Sequence, residues 1–149
     1  MPYYLEDYAV GTETSFGTYH VTAEEIMEFG RRWDPQPFHV DPVAAAASPF
    51  GGLIASGWHT CGMAMKLIVE HGGISPESSM GGAGLRQLSW DAPVRPGDAL
   101  RVVVRVLENR PSQSKPDRGT VILEINAFNQ DDRRVLNFEL IGMIRKKPA

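Results

Sequence analysis

Asp34 and His39 stand five residues apart in the segment Trp33-Asp34-Pro35-Gln36-Pro37-Phe38-His39-Val40-Asp41-Pro42. Two prolines between them exclude a continuous helix, so a rigid turn can point both side chains into one cleft. A carboxylate and an imidazole have ordinary pKa values of about 3.9 and 6.5, so near neutral pH one can take a proton while the other lends one. The same spacing is also met by an Asp34 that caps the turn and a buried, hydrogen-bonded His39. Further along lies Phe50-Gly51-Gly52-Leu53-Ile54-Ala55-Ser56-Gly57-Trp58-His59, glycines leading into an apolar run. Glycine lets a ligand approach the backbone closely, and free N–H groups at a helix start stabilise negative charge. A tight packing loop would use the same residues.

The elements around these segments are readable from periodicity. Thr22-Ala23-Glu24-Glu25 is a capping box, in which the Thr22 hydroxyl and the Glu25 carboxylate satisfy backbone donors. Ile26, Phe29 and Trp33 follow at helical spacing until Asp34-Pro35 stops the helix. Asp41-Pro42 opens a second short helix to Ala47. A third runs from Trp58 to Glu70, with Cys61, Met65, Ile68 and Val69 recurring on it. It is apolar around much of its circumference, as a helix wrapped by other structure is. Beyond Gly84 the period changes to that of strands: Leu85 to Val94, Leu100 to Leu107 with Arg101 and Arg105 interleaved, Val121 to Phe128, and Val135 to Ile144. Asn109 to Gly119 and Asn129 to Asp132 read as turns, and Thr12 to His20 as a weaker first strand. Helices followed by a run of antiparallel strands predict an α+β domain with the Trp58–Glu70 helix lying on the sheet.

Composition sets the outer limits. A chain of 149 residues, 42% hydrophobic and 22% charged, is about one domain and argues against disorder. Lys+Arg number 15 against 18 Asp+Glu, without the basic excess that phosphate neutralisation requires, so no nucleic-acid partner is expected. No run approaches a membrane span, and the start Met1-Pro2-Tyr3-Tyr4-Leu5-Glu6-Asp7 carries no basic flank with an apolar stretch, so no signal peptide is expected. The single cysteine, Cys61, excludes an internal disulfide and, with scattered histidines, makes no structural zinc set. A reducing, cytoplasmic setting is expected.

Asp34-x4-His39, then Asp41-Pro42 and Ala45, then a glycine loop ending in Gly57 before a long helix, resembles the MaoC-like dehydratases, which include the (R)-specific enoyl-CoA hydratases of the hotdog fold. Ala92-Pro93-Val94-Arg95-Pro96-Gly97-Asp98 extends the likeness, which covers about Thr22 to Ile144. The resemblance implies a five-stranded antiparallel sheet wrapped around a central helix. It also implies reversible hydration of a trans-2-enoyl-CoA to an (R)-3-hydroxyacyl-CoA, with no metal and no cofactor beyond the CoA of the substrate. By the same likeness Asp34 activates the water, His39 shares that water and the proton for the α-carbon, and the Gly57 N–H receives the thioester oxygen. Gln36, Phe38, Ser56 and Trp58 fall around the substrate. The chain departs from the family pattern at Gln36, where Asn is common, at Phe38, where Leu or Ile is common, and at Ser56, where His is usual.

Other residues have blander readings. His59 reads as a packing or hydrogen-bonding residue, His20 and His71 as surface residues, Cys61 as a small buried hydrophobe, and Trp33 and Trp58 as core or cleft walls. Arg86, Arg95, Arg101, Arg105, Lys115 and Arg118 include candidates for CoA phosphates. Two other functions fit the fold class. A hotdog acyl-CoA thioesterase is disfavoured because no carboxylate lies between Asp41 and Glu70. A noncatalytic acyl-CoA-binding module would not need Asp34, His39 and Gly57 together. The family resemblance also implies a homodimer, or a higher assembly, with clefts between subunits.

Overall fold

The computed structural model describes residues 3–149; Met1 and Pro2, at the start read as leaderless, lie outside them. In chain order the elements are a 3-10 turn Leu5–Asp7, β1 Glu13–His20, α1 Ala23–Trp33, α2 Pro37–Val40, α3 Pro42–Ala46, α4 Gly57–Glu70, β2 Ser79–Trp90, β3 Ala99–Pro111, β4 Arg118–Phe128 and β5 Arg134–Arg145. The strands form one antiparallel sheet in the order β1-β3-β4-β5-β2.

Side chains on a strand alternate between faces, and β3 follows that rule. Leu100, Val102, Val104 and Val106 are buried while Arg105 points outward. α4 lays Met63, Ala64, Leu67 and Ile68 against this apolar face, nearest β1 and β3. Two large apolar residues of α4 remain open, Trp58 at 57% exposed and Val69 at 41%. The helix is thus buried over much of its circumference, His59 and Thr60 included, as the sequence pattern suggested, with an open strip at Trp58 and Val69.

Several boundaries differ from those read in the sequence. β2 begins at Ser79 and ends at Trp90, rather than spanning Leu85 to Val94. Its early part pairs with β5 through register shifts around Gly82 and Gly84, where glycine accommodates bulges that a simple alternation test misses. β3 and β4 extend to Pro111 and from Arg118, so the turn between them is shorter than Asn109 to Gly119. α4 begins one residue early, at Gly57, and a single helical turn, α2, lies inside the proline-stiffened segment.

At α1 half of the expected capping box forms. Thr22 Oγ1 accepts from the Glu25 backbone N–H at 3.2 Å, but the Glu25 carboxylate accepts instead from the Tyr19 hydroxyl. Asp41 caps α3 as expected, its carboxylate accepting from Val43 and Ala44 N–H. Trp33 is 65% exposed; neither it nor Trp58 is a core residue, because both lie on helix faces turned from the sheet. Trp58 meets Trp90 edge-on.

Candidate active site

His39 lies on α2, one short turn after Asp34 has closed α1 as its C-cap. Two features of the fold press α2 into place. Gly30 of α1 sits so close that a Cβ there would lie 2.9–3.0 Å from Val40 Cγ1 and His39 Cβ. The buried segment Leu53–Ala55 runs alongside, with Ile54 N–H donating to Phe38 O at 3.1 Å and Ala55 N–H to Val94 O at 2.8 Å. Phe38 meets the His39 ring edge-on, with Phe50 beyond it.

His39 is 4% exposed, and both its ring nitrogens are directed. Nδ1 is 2.7 Å from Ile54 O. A carbonyl only accepts, so Nδ1 carries a hydrogen, and in the neutral ring Nε2 bears the free lone pair. Nε2 stands 3.2 Å from Asp34 Oδ2. The two groups can therefore share or exchange one proton, with the tautomer set by a backbone carbonyl.

Asp34 is held as firmly. Gln36 Nε2 donates to Oδ1 at 2.8 Å and Ser56 Oγ to Oδ2 at 2.7 Å. Ser56 is fully buried; as N-cap of α4 it makes no side-chain bond to its own helix, so its hydroxyl serves Asp34 instead. Burial pushes the Asp34 carboxyl up, but the donors Gln36 and Ser56, followed by the neighbouring His39, outweigh it and hold the group below the ordinary carboxylate value. Hydrogen bonds to the charged form have this sign.

Gly57 follows Ser56 at the first position of α4, where an N–H has no acceptor within its own helix. Trp90 explains the glycine. A Cβ on Gly57 would lie 2.3 Å from the Trp90 ring, and Trp90 Nε1 donates to Gly57 O at 2.9 Å. His39, Gly57, Phe50, Ile54, Thr60 and Trp90 share a cleft of about 320 Å³.

The structure thus brings together Asp34, Gln36, Phe38, His39, Ser56 and Gly57, while Trp58 stands outside this cleft's lining and turns outward. Sequence reading missed Gly30, the Ile54 carbonyl and Trp90. A backbone acceptor leaves no trace in side-chain identity, and Trp90 is 33 residues from the glycine it covers. Among the basic residues, Arg95 donates at 2.7 Å to the carbonyl of Phe50, a cleft-lining residue. Arg86, Arg101 and Arg118 are paired with Glu139, Asp132 and Asp117. Burial pushes the Cys61 thiol up, consistent with an inert side chain. Among the described residues, no three His, Cys, Asp or Glu side chains gather as a metal-binding group.

A family model described as "MaoC like domain" matches residues 7–126. The chain belongs to the MaoC-like family. The sheet and central helix of this MaoC-like protein are those of the hotdog fold. Its backbone superimposes on the crystal structure of a MaoC-like dehydratase from Rhodospirillum rubrum with a TM-score of 0.91, at 41% identity over 99% of each chain. It is 30% identical to the uncharacterised protein YdeM of Bacillus subtilis, over 95% of this chain and 99% of that one. It is 32% identical to 3-hydroxybutyryl-CoA dehydratase of Methylorubrum extorquens, over 75% of this chain and 69% of the other. No helix of this MaoC-like protein is long and apolar enough to cross a membrane among the described residues.

Proposed function

We propose that this protein reversibly hydrates a trans-2-enoyl-CoA thioester to the (R)-3-hydroxyacyl-CoA. The observation that carries the reading is the His39 Nε2 to Asp34 Oδ2 pair at 3.2 Å, opening beside the free end of α4. Hydration needs a base at water, an acid at the α-carbon and a donor at the carbonyl oxygen. In this reading Asp34 and His39 hold the water, and Asp34, ionised through its hydrogen bonds with Gln36 and Ser56, draws its proton. The water oxygen bonds to the β-carbon, the electron pair moves to the thioester oxygen against the Gly57 N–H, and the α-carbon then takes a proton from the His39–Asp34 pair. Dehydration is the reverse. Acid–base assistance of this kind contributes about 10²–10⁴-fold, and one oxyanion donor about 10²–10³. Similarity to a named 3-hydroxybutyryl-CoA dehydratase supports the thioester substrate.

No cofactor beyond the substrate's CoA takes part in this scheme. Gln36 and Ser56 serve by orienting Asp34, Phe38 by backing His39, and Trp58 as part of a subunit contact. The chain acts as one domain in the cytoplasm, as a homodimer. Support for the dimer comes from large apolar side chains left exposed on α4 and β2, Trp58, Val69, Leu85 and Trp90, of which Trp58 and Trp90 meet edge-on.

The test follows the conjugated thioester absorbance of a panel of trans-2-enoyl-CoAs, with free thiol monitored in parallel. Absorbance loss without thiol supports hydration. Thiol release would make the protein a thioesterase, and binding without either signal would make it an acyl-CoA-binding module.

A further inference from the structure

Phe50 lines the same cleft as His39 and Gly57, yet the loop that carries it has few ties to the rest of the fold. Its ring is 36% exposed, so burial does not fix it. The ring meets Phe38 edge-on, with 5.1 Å between centroids, and Phe38 in turn meets His39. Ser48 N–H and Oγ donate to Ala45 O, Phe50 N–H to Ser48 Oγ, and Gly51 N–H to Ser48 O. Each of these bonds stays within the loop or reaches the end of α3. Gly51 is in the left-handed region, with φ 69°, and a Cβ there would meet nothing within 4 Å, so no packing closes over the loop at that point.

Arg95 supplies the one hydrogen bond, among the described residues, that ties residues 48–52 to a distant segment. Its Nη2 donates to Phe50 O at 2.7 Å, and its Nη1 would be 3.5 Å from a Cβ on Gly52. The backbone of Arg95 is itself fixed. Its N–H donates to Asp98 Oδ2 at 2.9 Å and its carbonyl accepts from Asp98 N–H at 3.1 Å, while Gln130 holds the other oxygen of the buried Asp98. Arg86, Arg101 and Arg118 pair with carboxylates, whereas Arg95 directs its guanidinium at a backbone carbonyl. A hydrogen bond from an ionised donor is about twice as strong as a neutral one. The arrangement is a fixed post holding a loosely tied wall.

We propose that Arg95 is a positioning residue for substrate binding: through the Phe50 carbonyl it holds the Phe50 ring as a wall of the cleft, against the bound thioester. This rests on the reading of the cleft as an enoyl thioester site. The reacting groups do not depend on the loop, since Gln36 and Ser56 hold Asp34 and Ile54 O holds His39. Loosening Phe50 therefore weakens ground-state and transition-state binding alike, which raises KM and spares kcat.

The test measures kcat and KM for the trans-2-enoyl-CoA that the full chain hydrates fastest, and by calorimetry the Kd of saturated acyl-CoAs, which cannot be hydrated. Arg95→Ala and Phe50→Ala are each expected to raise KM and Kd by about 10-fold, the low end for a lost apolar contact, with kcat within about 3-fold. In a Phe50→Ala background, Arg95→Ala is expected to add less than about 2-fold, because the two residues act as one. Arg95→Lys keeps a charged donor and is expected to restore most of the affinity. Arg95→Ala retains the backbone bonds to Asp98, so the chain is expected to fold. Unchanged KM and Kd in Arg95→Ala, a full effect in the Phe50→Ala background, or a fall in kcat alone would overturn the role of Arg95 and leave hydration standing. Binding without hydration overturns the hydration reading, and the Kd values then decide the role of Arg95. Binding of no thioester overturns both.

Discussion

The Trp90 ring fills the space that a Cβ on Gly57 would need, at 2.3 Å, and its indole N–H bonds the Gly57 carbonyl at 2.9 Å. One side chain from the end of β2 thus holds the first residue of α4 and requires it to be glycine. Overpacking of this kind costs about 1–3 kcal/mol. Gly57→Ala is expected to lose that much stability in the wild-type background and under about 0.5 kcal/mol in a Trp90→Leu background. Equal losses in denaturant titrations of both backgrounds would show that Trp90 does not set the requirement.

Asp34→Asn and His39→Gln are each expected to lower turnover of the best enoyl-CoA by about 10²–10⁴-fold, with little change in melting temperature. Wild-type rates in either variant would remove that residue from the mechanism.

Ser56→Ala removes a donor to the charged form of Asp34, so the Asp34 pKa is expected to rise. Carbon NMR titration of the carboxyl group reads this directly, and an unmoved midpoint would contradict the assignment. The stability linked to Asp34 has the matching sign. Its folded value is depressed, so the contribution is present above the unfolded value of about 3.9 and is lost as pH falls through the lower folded one.

Val69 and Leu85 are exposed in the single chain. As surface substitutions in a monomer, Val69→Lys and Leu85→Lys would change stability by at most about 0.5 kcal/mol. In the proposed dimer each buries a charge between subunits, so sedimentation velocity is expected to show dissociation. An unchanged sedimentation coefficient with a dimeric wild type would place the contact elsewhere.

The local elements were legible in the sequence because their causes are local. Thr22 and Asp41 cap the helices they precede, Pro35 stops α1 while Pro42 opens α3, and the alternation of Val and Arg in β3 fixes which face is buried. Asp34, His39 and Gly57 were legible as a group through their spacing and family likeness. Four relationships were decided only by tertiary structure. The Glu25 carboxylate leaves its capping box for Tyr19, Trp58 and Trp33 turn outward, Ile54 O sets the His39 tautomer, and Trp90 reaches Gly57. Each depends on where a second segment comes to lie, from six residues away for Tyr19 to 33 for Trp90. A side chain's type and spacing determine what it can do; which partner it meets is settled by the packing of α1, α4 and the sheet around it.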